Sequence, residues 1–217
     1  GISGNCYGLQ DLNRRNVLAT VLLSVIAPTA LAEILRGPSA ARHGLRSREV
    51  WIGARSLAGA RIGRADGDIQ VVFFVDLNCP ACVQLWRWFD MPARRQWATL
   101  WVPVSHMHHS STGRGIALLR SAQPRAALQE NYGEGFDRST RTGGLAVAED
   151  ETLAELSAIR VNTHFWRTSL FEATPITLYR RRDGTYWQLL GQLPEPQMGA
   201  AFSELGSAVL PVFKAPR

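Results

Sequence analysis

The sequence predicts an α/β domain, a sheet built in two halves with a helical insertion between them at about residues 113–171. Three observations predict it. Val71 to Val75 is an unbroken apolar run, as expected of a strand covered on both faces. It leads straight into Cys79-Pro80-Ala81-Cys82 and then Leu85, Trp86 and Phe89, whose three- and four-residue spacing is that of one helix face. Farther on, Pro175 heads a β-branched run, Ile176 to Tyr179, which an Asp183-Gly184 turn folds back onto Tyr186 to Leu190.

Taken in order, Asn13 to Ala32 has the layout of an export signal. Arg14-Arg15 supply positive charge, Val17 to Ile26 a short apolar core, Pro28 a break, and Ala30-Leu31-Ala32 a small-residue cleavage site. The core is short for a membrane span; an uncleaved anchor is the rival reading. Residues 1–12 hold Cys6, so a chain cleaved after Ala32 keeps only Cys79 and Cys82. Residues 33–70 read as a connecting region. Within it Glu33 to Arg48 is a linker or weak helix, and Glu49 to Gly53 with Ser56-Leu57 is a short strand and turn. Ala65 to Asp68 is the turn before the central strand.

The main domain then occupies residues 71–217. Asp76, Asn78 and Pro80 supply turn, N-cap and first-turn chemistry. Ala98 to Val104 reads as a strand parallel to the first, reached through the helix crossover. His106, His108 and His109 follow it; no carboxylate or thiolate accompanies them in sequence, so the expectation is a strand-capping loop and no metal. Helices are expected at 113–121 and 124–132, a Gly- and Thr-rich loop at 133–144, and a long helix or helix pair at 149–171. The apolar residues of the last are Leu153, Leu156, Ile159 and Val161. A final helix runs from Pro194 to about Val209.

The composition is that of a folded chain: 46% hydrophobic and 19% charged residues over 217 positions. The net charge of +6 is carried by arginine, with Lys214 the only lysine. No arginine run is interleaved with aromatics, so a nucleic-acid partner is not expected.

Chemistry concentrates at the cysteines. The unpaired N–H groups and dipole of a helix N-terminus stabilise negative charge, which favours the Cys79 thiolate. Cys82 lies one turn on, on the same side, close enough to close a disulfide. A Cys-X-X-Cys between a strand and a helix is the context of a redox pair; half of a zinc site is the alternative, but no second ligand pair follows. In an exported chain left with these two cysteines, the pair is there to react. Cys79 reads as the exposed nucleophile and Cys82 as the protected resolving thiol. No cofactor is expected beyond a redox-active Cys79–Cys82 disulfide.

The order of these elements resembles the thioredoxin fold, and within it the periplasmic Dsb-type disulfide isomerases and reductases of the DsbC/DsbG group. The likeness covers about Val71 to Phe202. It rests on Asp76-Leu77-Asn78-Cys79-Pro80-Ala81-Cys82, the His106-Met107-His108 to Gly113 loop, Ala173-Thr174-Pro175, and the Asp183-Gly184 to Gly191 hairpin with Leu193-Pro194. The resemblance implies a cis proline at Pro175 facing the disulfide, with Thr174 touching both thiolate and substrate backbone. Pro80 and Ala81 join them as substrate-binding residues. It implies reduction or isomerisation of disulfides, or of sulfenic acids, in exported proteins of the periplasm. A membrane or periplasmic thiol-redox partner of DsbD type would recycle the pair. A DsbA-like disulfide donor and a redox-inactive chaperone using Trp86, Trp88 and Trp97 are the competing functions.

Two departures from the group stand out. About forty residues separate the signal from Val71, too few for the N-terminal dimerisation domain and linker helix of DsbC and DsbG; the oligomeric state stays open, a monomer included. Phe73 holds the place, six residues before the first cysteine, where reductases of this fold often keep a buried carboxylate, so no acceptor for the Cys82 proton is expected there.

Overall fold

The structure is a computed structural model, which describes residues 43–64, 67–191 and 195–205. The chain divides into two units, Gly1–Pro38 and Ser39–Arg217, and every described residue belongs to the second. The export signal, Cys6, Ala65-Asp66, Leu193-Pro194 and the end of the final helix lie outside the described residues.

Thirteen elements follow one another among the described residues: β1 (His43–Arg46), α1 (Arg48–Arg55), β2 (Ala60–Ile62), β3 (Val71–Val75), α2 (Pro80–Phe89), a 3-10 turn (Pro92–Arg94), β4 (Thr99–Pro103), α3 (Ser111–Arg120), α4 (Pro124–Tyr132), α5 (Leu153–Thr168), β5 (Ile176–Arg180), β6 (Tyr186–Leu190) and α6 (Glu195–Ser203). The strands form one six-stranded sheet in the order β1-β6-β5-β3-β4-β2. Only β3 and β4 run parallel, because a helix crosses over between them; the β5–β6 hairpin pairs antiparallel with the other side of β3.

A strand covered on both faces needs apolar side chains at every position, and all five residues of β3 are completely buried. Val71, Phe73 and Val75 face one core, with Leu85, Trp86 and Phe89 of α2, Leu128 and Tyr132 of α4, and Phe202 of α6. Val72 and Phe74 face the other, with Trp51 of α1, Trp166 of α5, Phe171, Ile176 and Leu178. The insertion α3–α5 therefore closes the sheet on both sides.

Three expectations are corrected here. Residues 49–53 are helix, not strand: Ser47 caps α1 by accepting from Val50 N at 3.4 Å, and Trp51 and Ala54, three residues apart, are the buried face. The region read as a linker contributes an edge strand, β1, paired with β6. The region 149–171 contains a single helix whose buried face is Ile159, Asn162, Thr163 and Trp166; Leu153 and Val161 are exposed. Two of those buried residues are polar, and apolar spacing does not show them. Asn162 Nδ2 donates to Ala58 O at 2.8 Å and Pro103 O at 3.0 Å, and Thr163 Oγ1 accepts from Ser105 N at 3.0 Å. α5 begins with a reciprocal cap between Thr152 and Glu155.

Replacing Asn162 by leucine strands both carbonyl groups. The expected loss is about 1–3 kcal/mol of stability, read from the shift of the urea denaturation midpoint at unchanged slope.

Candidate active site

The strand β3 ends at Val75, and three residues, Asp76, Leu77 and Asn78, carry the chain to α2. All three are completely buried, so each polar group among them needs a partner. Asp76 Oδ1 accepts from Asn78 N at 2.9 Å and Ser111 Oγ at 2.8 Å, and Oδ2 accepts from His106 N and Met107 N, both at 2.9 Å. Leu77 O accepts from Asn131 Nδ2 at 2.8 Å and Asp76 O from Tyr132 Oη at 2.9 Å. Asn78 Nδ2 donates to Ser110 Oγ at 3.2 Å and Ser111 Oγ at 2.9 Å, while its Oδ1 accepts from Gly143 N at 3.0 Å. The approach is so close that a Cβ on Gly143 would lie 2.0 Å from Asn131 Oδ1 and 2.4 Å from Leu77 O. Glycine is required there.

This cage delivers Cys79 to the helix N-terminus. Cys79 is itself the N-cap of α2, with Pro80 in the first turn; Asn78, read from sequence as part of the cap, instead ties the loop to α3 and the 133–144 loop. Cys79 N donates to Asp76 O at 2.9 Å and Cys82 N to Cys79 O at 3.1 Å. Both cysteines are free thiols. Cys79 Sγ donates to Thr174 O at 3.2 Å, and the Thr174–Pro175 peptide is cis. The four central residues Cys79, Cys82, Thr174 and Pro175 thus meet at one end of the sheet, with Pro80 exposed and Ala81 half-buried beside them.

The two thiols are electrostatically unequal. The Cys79 pKa is drawn down from 9.0 to about 7. The main cause is the Cys82 thiol donating to its sulfur; the Thr174 hydroxyl and the N–H groups of Cys82 and Ala81 assist, against the opposing effect of burial. Cys82 is pushed well above 9.0, chiefly by burial and then by Cys79. One thiol is set to ionise near neutral pH and the other to stay protonated.

No family model and no curated protein matches the chain. Solved structures do resemble it. ScsC of Proteus mirabilis in a transitional conformation gives a TM-score of 0.56 at 20% identity, over 74% of this chain and 80% of that one. The catalytic domain of the same protein gives 0.53 at 20% identity, over 73% and 98%. The thiol-disulfide exchange protein alpha-DsbA2 of Wolbachia pipientis gives 0.50 at 11% identity, over 72% and 91%. The chain has the thioredoxin fold. At these identities the likeness is one of fold.

Within the thioredoxin fold two sequence expectations, on Cys79 and on a buried carboxylate, need correction or completion. Cys79 is not an exposed nucleophile: only 3% of it is accessible, because the strand after Thr174 and the buried loop before it close over the sulfur. A buried carboxylate is present after all, at Asp76 rather than at the position of Phe73. Each of its oxygens already holds two donors, so it acts as a structural acceptor and not as the base for Cys82. The histidine loop separates His106 from the other two, while the His108 and His109 rings lie together with centroids 3.9 Å apart. His106 Nε2 lies 3.0 Å from Thr174 Oγ1, and His108 Nδ1 lies 2.8 Å from Ser110 Oγ. Among the described residues no three ligand-type side chains converge on a metal position.

Asp76 and His106 lie at the candidate site through hydrogen bonds that residue spacing alone does not show. A polar residue ending an otherwise continuous apolar run was the available signal for Asp76. A groove of about 210 Å³ lined by Pro80, Val83, Gln84, Phe136, Arg138 and Arg141 opens beside the cysteine motif. Trp86 is buried, and Trp88 and Trp97, half-buried, stack on each other at 6.0 Å and pack on Phe202, so all three rings serve packing.

The reduced protein is expected to show a thiolate absorbance step near 240 nm with a midpoint close to pH 7, lost in Cys79→Ser, with Cys82 still protonated at pH 9. The sign for stability follows. The folded pKa lies below the unfolded one, so the Cys79 contribution is fully present above about pH 9. It is lost as pH falls through about 7. Denaturation of reduced wild type against Cys79→Ser at pH 6 and pH 9 measures it. Asp76→Asn is expected to lower stability by about 2–4 kcal/mol, since an amide nitrogen cannot accept at two of the four bonds. It should also lower the Cys82 ionisation midpoint, because the Asp76 charge helps hold that proton on.

Proposed function

We propose that the chain is an exported thiol–disulfide oxidoreductase that reduces or isomerises disulfides, or reduces sulfenic acids, in periplasmic proteins. The observation that carries it is the pair itself: a thiol of pKa about 7 at a helix N-terminus, over a buried partner that stays protonated. The Cys79 thiolate attacks a substrate disulfide, forms a mixed disulfide and releases one substrate thiolate. Cys82 then attacks the Cys79 sulfur; its proton passes to the departing second substrate sulfur. Two electrons reach the substrate and the pair ends as a Cys79–Cys82 disulfide. With a sulfenic acid, the first step releases hydroxide instead. Thr174 and Pro175, with Pro80 and Ala81 at the rim, receive the substrate backbone as an added extended segment.

The direction of the reaction is supported by the degree of activation. A disulfide donor of the DsbA kind keeps its nucleophile near pKa 3.5, roughly, so that its reduced form is strongly favoured; a thioredoxin-like reductant sits near 7. Cys79, drawn down to about 7, is in line with the second. The DsbC/DsbG grouping is supported by Asp76-Leu77-Asn78-Cys79-Pro80-Ala81-Cys82 and Ala173-Thr174-Pro175, and export by the signal layout of Asn13 to Ala32. Because each reduction leaves the pair oxidised, turnover requires a recycling thiol-redox partner, of DsbD type.

Insulin reduction by the mature chain is the test. Cys79→Ser is expected to abolish turnover, and Cys82→Ser to accumulate the mixed disulfide. Equilibration with glutathione should give a reduction potential nearer about −270 mV than about −120 mV. Absence of any exchange by the wild type would overturn the redox reading.

A further inference from the structure

We infer that His106 is a positioning residue for the Cys79 thiolate, acting through the hydroxyl of Thr174. The inference rests on the thiol chemistry proposed for Cys79 and adds to it a group outside both the cysteine motif and the Thr174–Pro175 strand. His106 Nε2 lies 3.0 Å from Thr174 Oγ1, Thr174 is seated against the sulfur with its carbonyl oxygen 3.2 Å from Cys79 Sγ, and its side chain helps draw the Cys79 pKa down. A hydroxyl has one hydrogen to give. With the imidazole proton on Nε2, His106 donates to Thr174 Oγ1 and the hydroxyl hydrogen points to the sulfur. With Nε2 bare, His106 takes that hydrogen and the sulfur loses a donor. A thiolate selects the first arrangement, in which N–H to O and O–H to S⁻ polarise one another. The thiol has no need of it, since Cys79 Sγ then donates to Thr174 O at 3.2 Å.

The ring is held for this role. His106 N is fixed on Asp76 Oδ2, as is the next backbone N–H, that of Met107. The imidazole stacks on Trp166 with centroids 4.6 Å apart and 22° between planes. Trp166 Nε1 donates to Ala173 O at 3.2 Å, one residue before Thr174. The charged groups acting on His106 are Asp76 and Arg167. Burial first, with Arg167, keeps the imidazole below its ordinary pKa against Asp76, so it is neutral at pH 7 and carries a single N–H. Around Cys79 the other titratable groups are Cys82 and the buried phenol of Tyr132, both held protonated.

The test uses the reduced full chain and two variants. His106→Phe keeps a ring to stack on Trp166 and removes the donor; His106→Gln keeps an N–H. His106→Phe should raise the Cys79 ionisation midpoint by about half a pH unit, since the Thr174 hydroxyl keeps its hydrogen for the sulfur and loses only the polarisation by His106. Because a less stabilised thiolate is also more nucleophilic, alkylation by iodoacetamide should be slightly slower than wild type at pH 7 but about 1.6-fold faster at pH 9. Damage to the fold would slow or speed both. His106→Gln should restore the midpoint. Thr174→Val should raise the midpoint too, and His106→Phe added to Thr174→Val should raise it no further. An unmoved midpoint in His106→Phe, or additive shifts in the double variant, would overturn the inference. If His106→Phe does not fold, Thr174→Val alone decides: no shift there breaks the chain. Ionisation and alkylation are read without a protein substrate, so a failure of insulin reduction in the wild type counts against the proposed function and leaves this result standing.

Discussion

A carboxylate with no accessible surface is the constraint from which the active end of this molecule is built. Asp76 cannot remain charged in the core without donors, and the four that it has come from three places: the residue two ahead of it, the first turn of α3, and the loop after β4. Burying that one group therefore fixes the register of the cysteine loop against two other segments. The carbonyls of Asp76 and Leu77 extend the arrangement to α4 through Tyr132 and Asn131. The helical insertion is not an ornament on the sheet. It supplies most of the partners that allow a polar loop to sit inside the protein.

The inequality of the two cysteines follows from that placement. Cys79 stands at the helix terminus, where N–H groups and the neighbouring thiol converge on its sulfur, and Cys82 lies a turn deeper, with no water and a negative neighbour. The same sequence spacing laid along an exposed helix would give two similar thiols. Asymmetry arises because the loop holds one sulfur just beneath the surface and the other in the core. The low accessibility of Cys79 means that its reactivity depends on what can approach past Thr174 and Pro175.

The sheet was legible where burial left an apolar signature. β3, α2, β4, α4 and the β5–β6 hairpin all appear in the sequence within a residue or two, because their side chains are apolar at the positions that face the two cores. The first part of the described chain was not legible. Residues 48–55 place only two buried residues, Trp51 and Ala54, on a helix otherwise made of Arg48, Glu49, Val50, Ile52, Gly53 and Arg55, so the run Val50-Trp51-Ile52 reads as a strand when its caps are ignored. α5 misled for the opposite reason: its buried face contains Asn162 and Thr163, whose role is to satisfy backbone groups of other segments. At the site, the cysteines, Thr174 and Pro175 were visible as a motif in a fixed order of elements. Asp76 and His106 stood in the same motifs, but what they do there was not legible, because it lies in hydrogen bonds to residues 30 to about 70 positions away.

The loop between α4 and α5 has one more consequence, for how such a protein can diversify. Its end at Gly143 is pinned between Asn131 and Leu77 and admits no side chain, whereas the tip from Asp137 to Thr142 closes on itself through a backbone bridge and the Asp137 carboxylate. That tip carries Arg138 and Arg141 to the rim of the groove beside Pro80. The loop thus separates into a fixed base and a self-contained tip. Substitutions at the tip change the charge at the rim of that groove without touching the hydrogen bonds that hold Leu77 and Asn78 before Cys79.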